Sequence, residues 1–424
     1  MDIQRHIQPH VFPFDARILV PTEFVSLKNG ISLFLINAGT EDVMRMEFVF
    51  GAGMVQEYLS LLATSTNMML TEGSEKYSSE ELNGILDFYG IFLNLSVEKD
   101  TAGLTVYFLN KHIEKALELI AEILFRPAFP EKELITLMKK RLGWYRVARE
   151  KVQNLAMDKF FESVFGSHHP YGRQAYESDF EGMSPSLLKD FHAKFYKPEK
   201  MTVIISGRIH ELTVDLFEKY FGELRSKNIY IEDPENVIRG AGEKKMHIDK
   251  AGALQTAFRI GSSTINKRHP DYPGLKFLNV VLGGYFGSRL MKNIREEKGF
   301  TYGIHSSVSS FDLSGFKVIS TEAGKIYREQ VAAEIYKEIR LLQTKPVEND
   351  EIEVVRSYMS GEMVRMFDGP FAIAESLRAV WEFGLDYNYF IRLMNTIRTI
   401  TPDEILRLAN TYYNIDNLYE ITAG

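Results

Sequence analysis

Ten histidines and no cysteine set the terms for any chemistry in this 424-residue chain. Without cysteine there is no thiolate ligand, disulfide or thiol nucleophile, so a metal ion would have to be held by His, Asp or Glu. None of the histidines stands in an H-E-x-x-H or H-x-x-E-H pattern, the spacings that put two imidazoles on one helix face. His6 and His10 have four-residue spacing, but Pro9 between them marks an extended segment. His168 and His169 adjoin in GSHHPYGR, where a structural loop is favoured over a ligand pair. His112, His192 and His210 fall in polar helical or turn surroundings and read as surface residues. No nucleophile with a base beside it is recognisable. Lys139, Lys140 and Arg141, with Arg146 and Arg149, form a basic run whose commoner use is a solvated helix face, the rarer one a contact with an acidic peptide or partner.

The stretch LGGYFGSRLMKNIREEKGFTYGIHSSV, Leu282–Val308, sets three glycines ahead of an Arg and a Tyr seven residues apart. Ser288 is placed to cap a helix beginning at Arg289, Gly299 to close it in a left-handed turn, and Tyr302 to open a strand. A guanidinium at Arg295 and a phenol at Tyr302 are donors suited to the carbonyls of an extended peptide. Taken alone, Arg295 also fits a solvated charge at a helix end, and Tyr302, alternating with Phe300 and Ile304, fits a core aromatic. Gly283, Gly284 and Gly287 lack the spacing of a phosphate loop; close approach of backbone to a peptide, or tight helix packing, accounts for them. His305 lies close by.

The elements that must position these residues come from a duplication. Ser184–Gly207 aligns without gaps on Thr401–Gly424: a Ser-Pro or Thr-Pro helix start, a helix, an aromatic pair, a polar turn and a strand ending in Gly. Upstream, RPAFPEKELITLMKKRL resembles TKPVENDEIEVVRSYM. Strand-like runs open both halves, at Ile31–Ile36 with Val43–Phe50 and at Lys245–Ile248 with Leu254–Ile260, and long amphipathic patterns follow from His112 and Tyr327. Strands grouped with helices predict an α+β architecture of two similar sandwich domains, each a sheet with helices on one face, facing each other like a clam shell around a cavity. The boundaries read as 1–225, a polar linker over 226–245, and 246–424. The net charge of −7 gives no basic field for nucleic acid, and no run of eighteen apolar residues predicts a membrane span. The first residues lack a signal-peptide pattern, so cytoplasm is the expected compartment, with a removed leader still compatible.

Two motifs resemble those of the M16 (pitrilysin-like) metallopeptidase family. In LLATSTNMMLTEGSEKYSSEELNGIL, Leu61–Leu86, the GSEKY turn resembles the one that follows the H-x-x-E-H helix of active members, and it sets Thr64, Asn67 and Met68 where His, Glu and His would stand. The family's third ligand, a Glu some seventy to eighty residues on, falls in ITLMKKRLGWYRVAR, which has no carboxylate. The Gly-containing loop, the S-R-L helix start and the Arg295–Tyr302 pair resemble the family's second hallmark. The resemblance covers nearly the whole chain and implies the LuxS/MPP-like metallohydrolase fold with a degenerate metal site. It further implies no zinc in this chain, zinc in an H-x-x-E-H-bearing M16 partner subunit, and Arg295 and Tyr302 lent to that partner's site. With Gly283 and Gly284 these two would bind peptide substrate, and Tyr302 would stabilise the oxyanion. The chain would then be no working peptidase alone but one half of a metalloendopeptidase heterodimer. The alternative implied by the same resemblance is an inactive peptide-binding or scaffold homodimer like core subunits of respiratory complexes.

Overall fold

A computed structural model describes residues 21–225 and 237–424. His6, His10 and most of the expected linker, 226–236, lie outside the described residues. The first half holds a six-stranded sheet: β1 (Glu23–Ser26), β2 (Ser32–Asn37), β3 (Val43–Phe50), β4 (Phe92–Val97), β5 (Ala102–Leu109) and β6 (Thr202–Gly207), in the order β1-β2-β6-β3-β5-β4. The second half holds β7 (Lys245–Ile248), β8 (Gln255–Thr264), β9 (Thr301–Ser310), β10 (Gly315–Gly324) and β11 (Tyr419–Ala423), in the order β7-β11-β8-β10-β9. Leaving out β1, the two orders coincide strand for strand, down to the one parallel pairing in each: β2 with β6, β7 with β11.

Helices α1 (Leu62–Met68), α2 (Ser79–Tyr89), α3 (Ile113–Phe125), α4 (Glu131–Arg149), α5 (Val152–Phe165), α6 (Pro185–Phe195) and α7 (Thr213–Phe221) belong to the first half. The second half has α8 (Tyr272–Asn279), α9 (Arg328–Thr344), α10 (Asn349–Arg365), α11 (Pro370–Trp381), α12 (Asn388–Thr399) and α13 (Pro402–Tyr412). None is long and apolar enough to cross a membrane. The sequence repeat is visible in α6 and α13. Ser184 and Thr401 cap them by accepting from the amides of Leu187 and Glu404, and Pro185 and Pro402 take the first turn, where a missing N–H costs nothing.

Each sheet carries helices of its own half on one face and one helix of the other half on the opposite face. Strand β6 shows why its sequence is an unbroken apolar run: Val203 and Ile205 join the first half's core, while Ile204 points the other way into the second half's core beside Ile36. That second face receives α11, whose Trp381 packs edge-on against Phe34, ring centroids 6.1 Å apart. Reciprocally, α5 lies on β8 and β11, with Leu155 and Ala156 against Ala257 and Ala423. Full burial of a side chain such as Ile204 is worth about 1.5–3 kcal/mol, so each half stabilises the other.

A buried ionic cluster reinforces the α11 contact. Glu47 on β3 accepts from Arg45 at 2.9 Å and from Arg378 of α11 at 3.2 Å. Arg378 also donates to Thr101 at 2.9 Å, whose hydroxyl donates to Glu382 at 2.8 Å. Burial draws the Arg378 guanidinium down, against the pull of Glu47.

Candidate functional site

Helix α1 carries Thr64, Asn67 and Met68, the positions the sequence resemblance sets against a zinc helix, and Thr64 and Asn67 are committed elsewhere. Asn67, fully buried, donates to the Gly103 carbonyl at 3.0 Å and to the Tyr196 hydroxyl at 3.1 Å, fastening the helix to β5 and α6. Arg141 reaches across from α4 to Thr64 Oγ1 and Ser65 Oγ, 2.6 Å each. Burial lowers this guanidinium to about 10, still a cation at neutral pH. Beneath it Glu57 accepts from the Ala63 amide at 2.8 Å, and burial raises its carboxyl to about 7. A hydroxyl, a carboxamide and a thioether cannot replace two imidazoles and a carboxylate, and a fixed guanidinium on Thr64 repels a second cation. These residues do not fit zinc. Among the described residues no three His, Asp or Glu gather in a metal-holding group.

The second half holds its candidate residues next to irregular helical segments. After α8 the chain runs through a π-helical segment, Val280–Gly284, and a longer one spans Met291–Glu297, where Lys298 N donates to Asn293 O at 3.1 Å, five residues back. Such segments widen a helix by one residue per turn and are frequent at functional sites. Gly283 is buried so close to β9 that a Cβ would stand 2.8 Å from Ser306 N, and Asn279 pins the same residue through Nδ2 to Ser306 O at 3.0 Å. Gly284 sits in the same packing, half-buried. Gly299 closes the second segment at φ 64°, and Phe300 N donates to Ile294 O, binding the helix end to the strand start. Ser288 does not cap: its hydroxyl is buried without a hydrogen-bond partner.

Arg295 lies half-buried with its guanidinium 4.5 Å from the Phe286 ring centroid, a cation–π contact. Tyr302 is 93% exposed. Its exposure comes from a bulge: the β9–β10 register shifts between Thr321 and Ala323, leaving one extra residue on β9 at Tyr302–Gly303. Thr321 fixes the bulge by donating to Gly303 O at 2.8 Å, within hydrogen-bond distance of Thr301 Oγ1 as well, and Thr301 reaches Glu322 O at 2.7 Å. A regular strand would have kept Tyr302 on the face of buried Ile304; the bulge turns it out. No hydrogen bond joins Tyr302 to Arg295, but both flank the start of edge strand β9.

Tyr302 rims a cavity of about 320 Å³ with Gln153 at the start of α5, Arg259, His305, Ser320 and Glu322. Neither Arg295 nor the two glycines line it. A larger space of about 520 Å³ opens between the halves, lined by Gly51, Asp100, Lys200, Asp312, Trp381 and Glu382, and none of the site residues borders it.

Of the histidines, His169 is a buried turn residue, its Nδ1 accepting from Tyr171 N at 3.1 Å. His192 is half-buried rather than solvated: its Nε2 meets Leu124 O at 2.7 Å, its ring stacks on Tyr196, and burial lowers its basicity. Arg141 was hidden in the basic run, yet it falls three residues after Met138 and seven after Leu134, the two buried positions of α4, and that spacing is its signal. Arg259 stands in the apolar run TAFRIGSS, where a charge needs a reason.

Residues 40–176 match the family model described as insulinase (peptidase family M16), and residues 183–359 the one described as peptidase M16 inactive domain. The chain belongs to the M16 peptidase family. A Bacillus subtilis relative, uncharacterized zinc protease YmxG, is 24% identical over 342 residues, 80% of this chain and 82% of its own. A Helicobacter pylori relative called non-peptidase homolog YmxG is 20% identical over 375 residues, 87% of this chain and 85% of its own. The crystal structure of a peptidase M16 inactive domain from Pseudomonas fluorescens matches with a TM-score of 0.86 at 22% identity, over 95% of this chain and 98% of that one.

Proposed function

We propose that this chain is the zinc-free subunit of a two-chain M16 peptidase, lending Tyr302 and Arg295 to a zinc site in a partner that carries H-x-x-E-H. The observation that carries the reading is the bulged, outward Tyr302 on an edge strand. A tyrosine 93% exposed buries almost nothing, so core packing does not explain it, while two threonine hydroxyls hold the strand in the shape that presents it. An extended peptide pairing with β9 would set its carbonyls within reach of the phenol, which can donate to the oxygen that gains charge as the bond breaks. Arg295, held against Phe286 at the helix end, supplies a second donor for neighbouring carbonyls and so fixes register. Gly283 serves indirectly by letting the π segment seat β9. Zinc and the general base come from the partner, because Arg141 fills this chain's own degenerate site.

The same Arg141 clamp favours a second reading, in which the first half is a permanently closed scaffold and the chain assembles with its own copy. Co-purification from the source organism followed by elemental analysis of each subunit separates the two. The proposal expects one zinc in an H-x-x-E-H partner, none in this chain, and peptide hydrolysis only by the pair. A zinc-free assembly of identical chains overturns it.

A further inference from the structure

The cavity beside Tyr302 contains a row of polar side chains that the oxyanion and register roles leave unused. Ser320 on β10 pairs directly with Arg259 on β8 and with His305 on β9, so the three project from one face of the sheet across three adjacent strands. Arg259 is 8% exposed and Ser320 3%. Arg259 spends Nη1 on Phe258 O at 2.8 Å and Nη2 on Gln153 O at 3.2 Å, both main-chain carbonyls. Its Nε, and the Ser320 hydroxyl, are buried with no hydrogen-bond partner.

A buried guanidinium whose hydrogen-bond acceptors are all neutral and whose Nε–H is idle is costly to keep, even with the Glu322 carboxylate near enough to favour its charge, and an idle hydroxyl on the adjacent strand adds a second donor. Two donors converging from one row suit a planar anion with two acceptor oxygens. Glu322, the carboxylate that shares the cavity, attracts Arg259 electrostatically but makes no hydrogen bond to it, so Nε is left for another acceptor. The cavity, about 320 Å³, holds one or two residues rather than a folded ligand, and it opens onto an edge strand whose outer side is unpaired.

We propose that Arg259 and Ser320, with His305 and Tyr302 at the rim, form a carboxylate-binding subsite for an extended peptide lying along β9. The inference rests on the edge-strand reading of the proposed function and adds its chemistry: the ligand is a peptide that brings an acidic group to this row. A carboxylate there accepts from Arg259 Nε and Ser320 Oγ and satisfies both at once. The permanent charge of arginine keeps the subsite occupied by anion over the whole neutral range.

The test is binding by the full chain, without any partner, of three fluorophore-labelled peptides of one otherwise neutral sequence: a free C-terminal acid, the C-terminal amide, and the amide with Glu as last residue. The free acid or the Glu-ended amide should bind roughly tenfold to hundredfold tighter than the plain amide, the effect of charge-assisted bonds to one carboxylate. Preference for the free acid identifies the terminus as the source; equal gain from the Glu-ended amide identifies a side chain. Ser320→Ala should shrink that ratio and Arg259→Gln abolish it. Should Arg259→Gln fail to fold, the wild-type ratio and Ser320→Ala still decide. Equal affinity for all three peptides overturns the subsite and leaves peptide pairing with β9 standing. Absence of binding by any of them overturns both.

Discussion

At the residue scale the first half is explained by two charges. Arg141 puts a guanidinium on Thr64 and Ser65, and Glu57 lies beneath the same helix with its carboxyl raised by burial to about 7. The raised value has a definite sign. Between the ordinary carboxyl value of 4.5 and about 7 the folded chain holds a proton that the unfolded chain has released, so stability is full below 4.5 and falls as pH rises through 7. The total is on the order of 3 kcal/mol from the size of the shift. Glu57→Gln should flatten that slope in urea midpoints measured from pH 4 to 8, with the Ala63 amide still satisfied by the carboxamide oxygen. Restoring the family's letters should not restore its metal. The triple variant Thr64→His, Asn67→Glu, Met68→His should hold less than one zinc per chain after chelator dialysis, because Arg141 faces the new ligands and 135–149 offers no carboxylate. That positions 64, 67 and 68 carry no imidazole or carboxylate was legible in the sequence. The replacement cation was not, since Arg141 sits among Lys139, Lys140 and Arg146, and only its phase relative to Leu134 and Met138 sets it apart.

At the element scale the sequence told most where local chemistry decides. The Ser-Pro and Thr-Pro starts produced α6 and α13, the 217-residue offset carried over to β6 and β11, and the strand at Lys245–Ile248 formed as expected. It told least where tertiary contacts overrule local pattern. Both π segments pack against β9, and the bulge at Tyr302–Gly303 is held by threonines twenty residues apart in sequence that share a hydrogen-bond cluster. Strict alternation would have buried Tyr302 beside Ile304. Thr321→Val keeps the shape and removes the bonds to Gly303 and Thr301. It should cost about 1–3 kcal/mol and should lower turnover by the assembled pair, as Tyr302 loses its fixed aim. Denaturation and kinetics on the same preparation check both effects.

At the scale of the whole molecule, a tandem repeat has become one body by exchange of helices. Both faces of β6 and of the β8–β11 pair are buried because α11 and α5 cross between the halves, an arrangement the apolar run TVIISG is consistent with but does not dictate. Glu47 is the single carboxylate between Arg45 and Arg378 at the α11 contact. Glu47→Ala would leave buried Arg45 without a carboxylate, while Arg378 keeps its ion pair with Glu382, and should destabilise the chain by about 3 kcal/mol, read as a shift in urea midpoint. The edge strand of the second half presents Tyr302, and the proposed role is tested most directly by peptide turnover of the proposed H-x-x-E-H partner mixed with wild-type or Tyr302→Phe chain at matched complex concentration. The account predicts that kcat falls by a factor on the order of 10² to 10³ while the complex still assembles, with Arg295→Ala in the same assay raising KM as well. Turnover unchanged by both substitutions would contradict it.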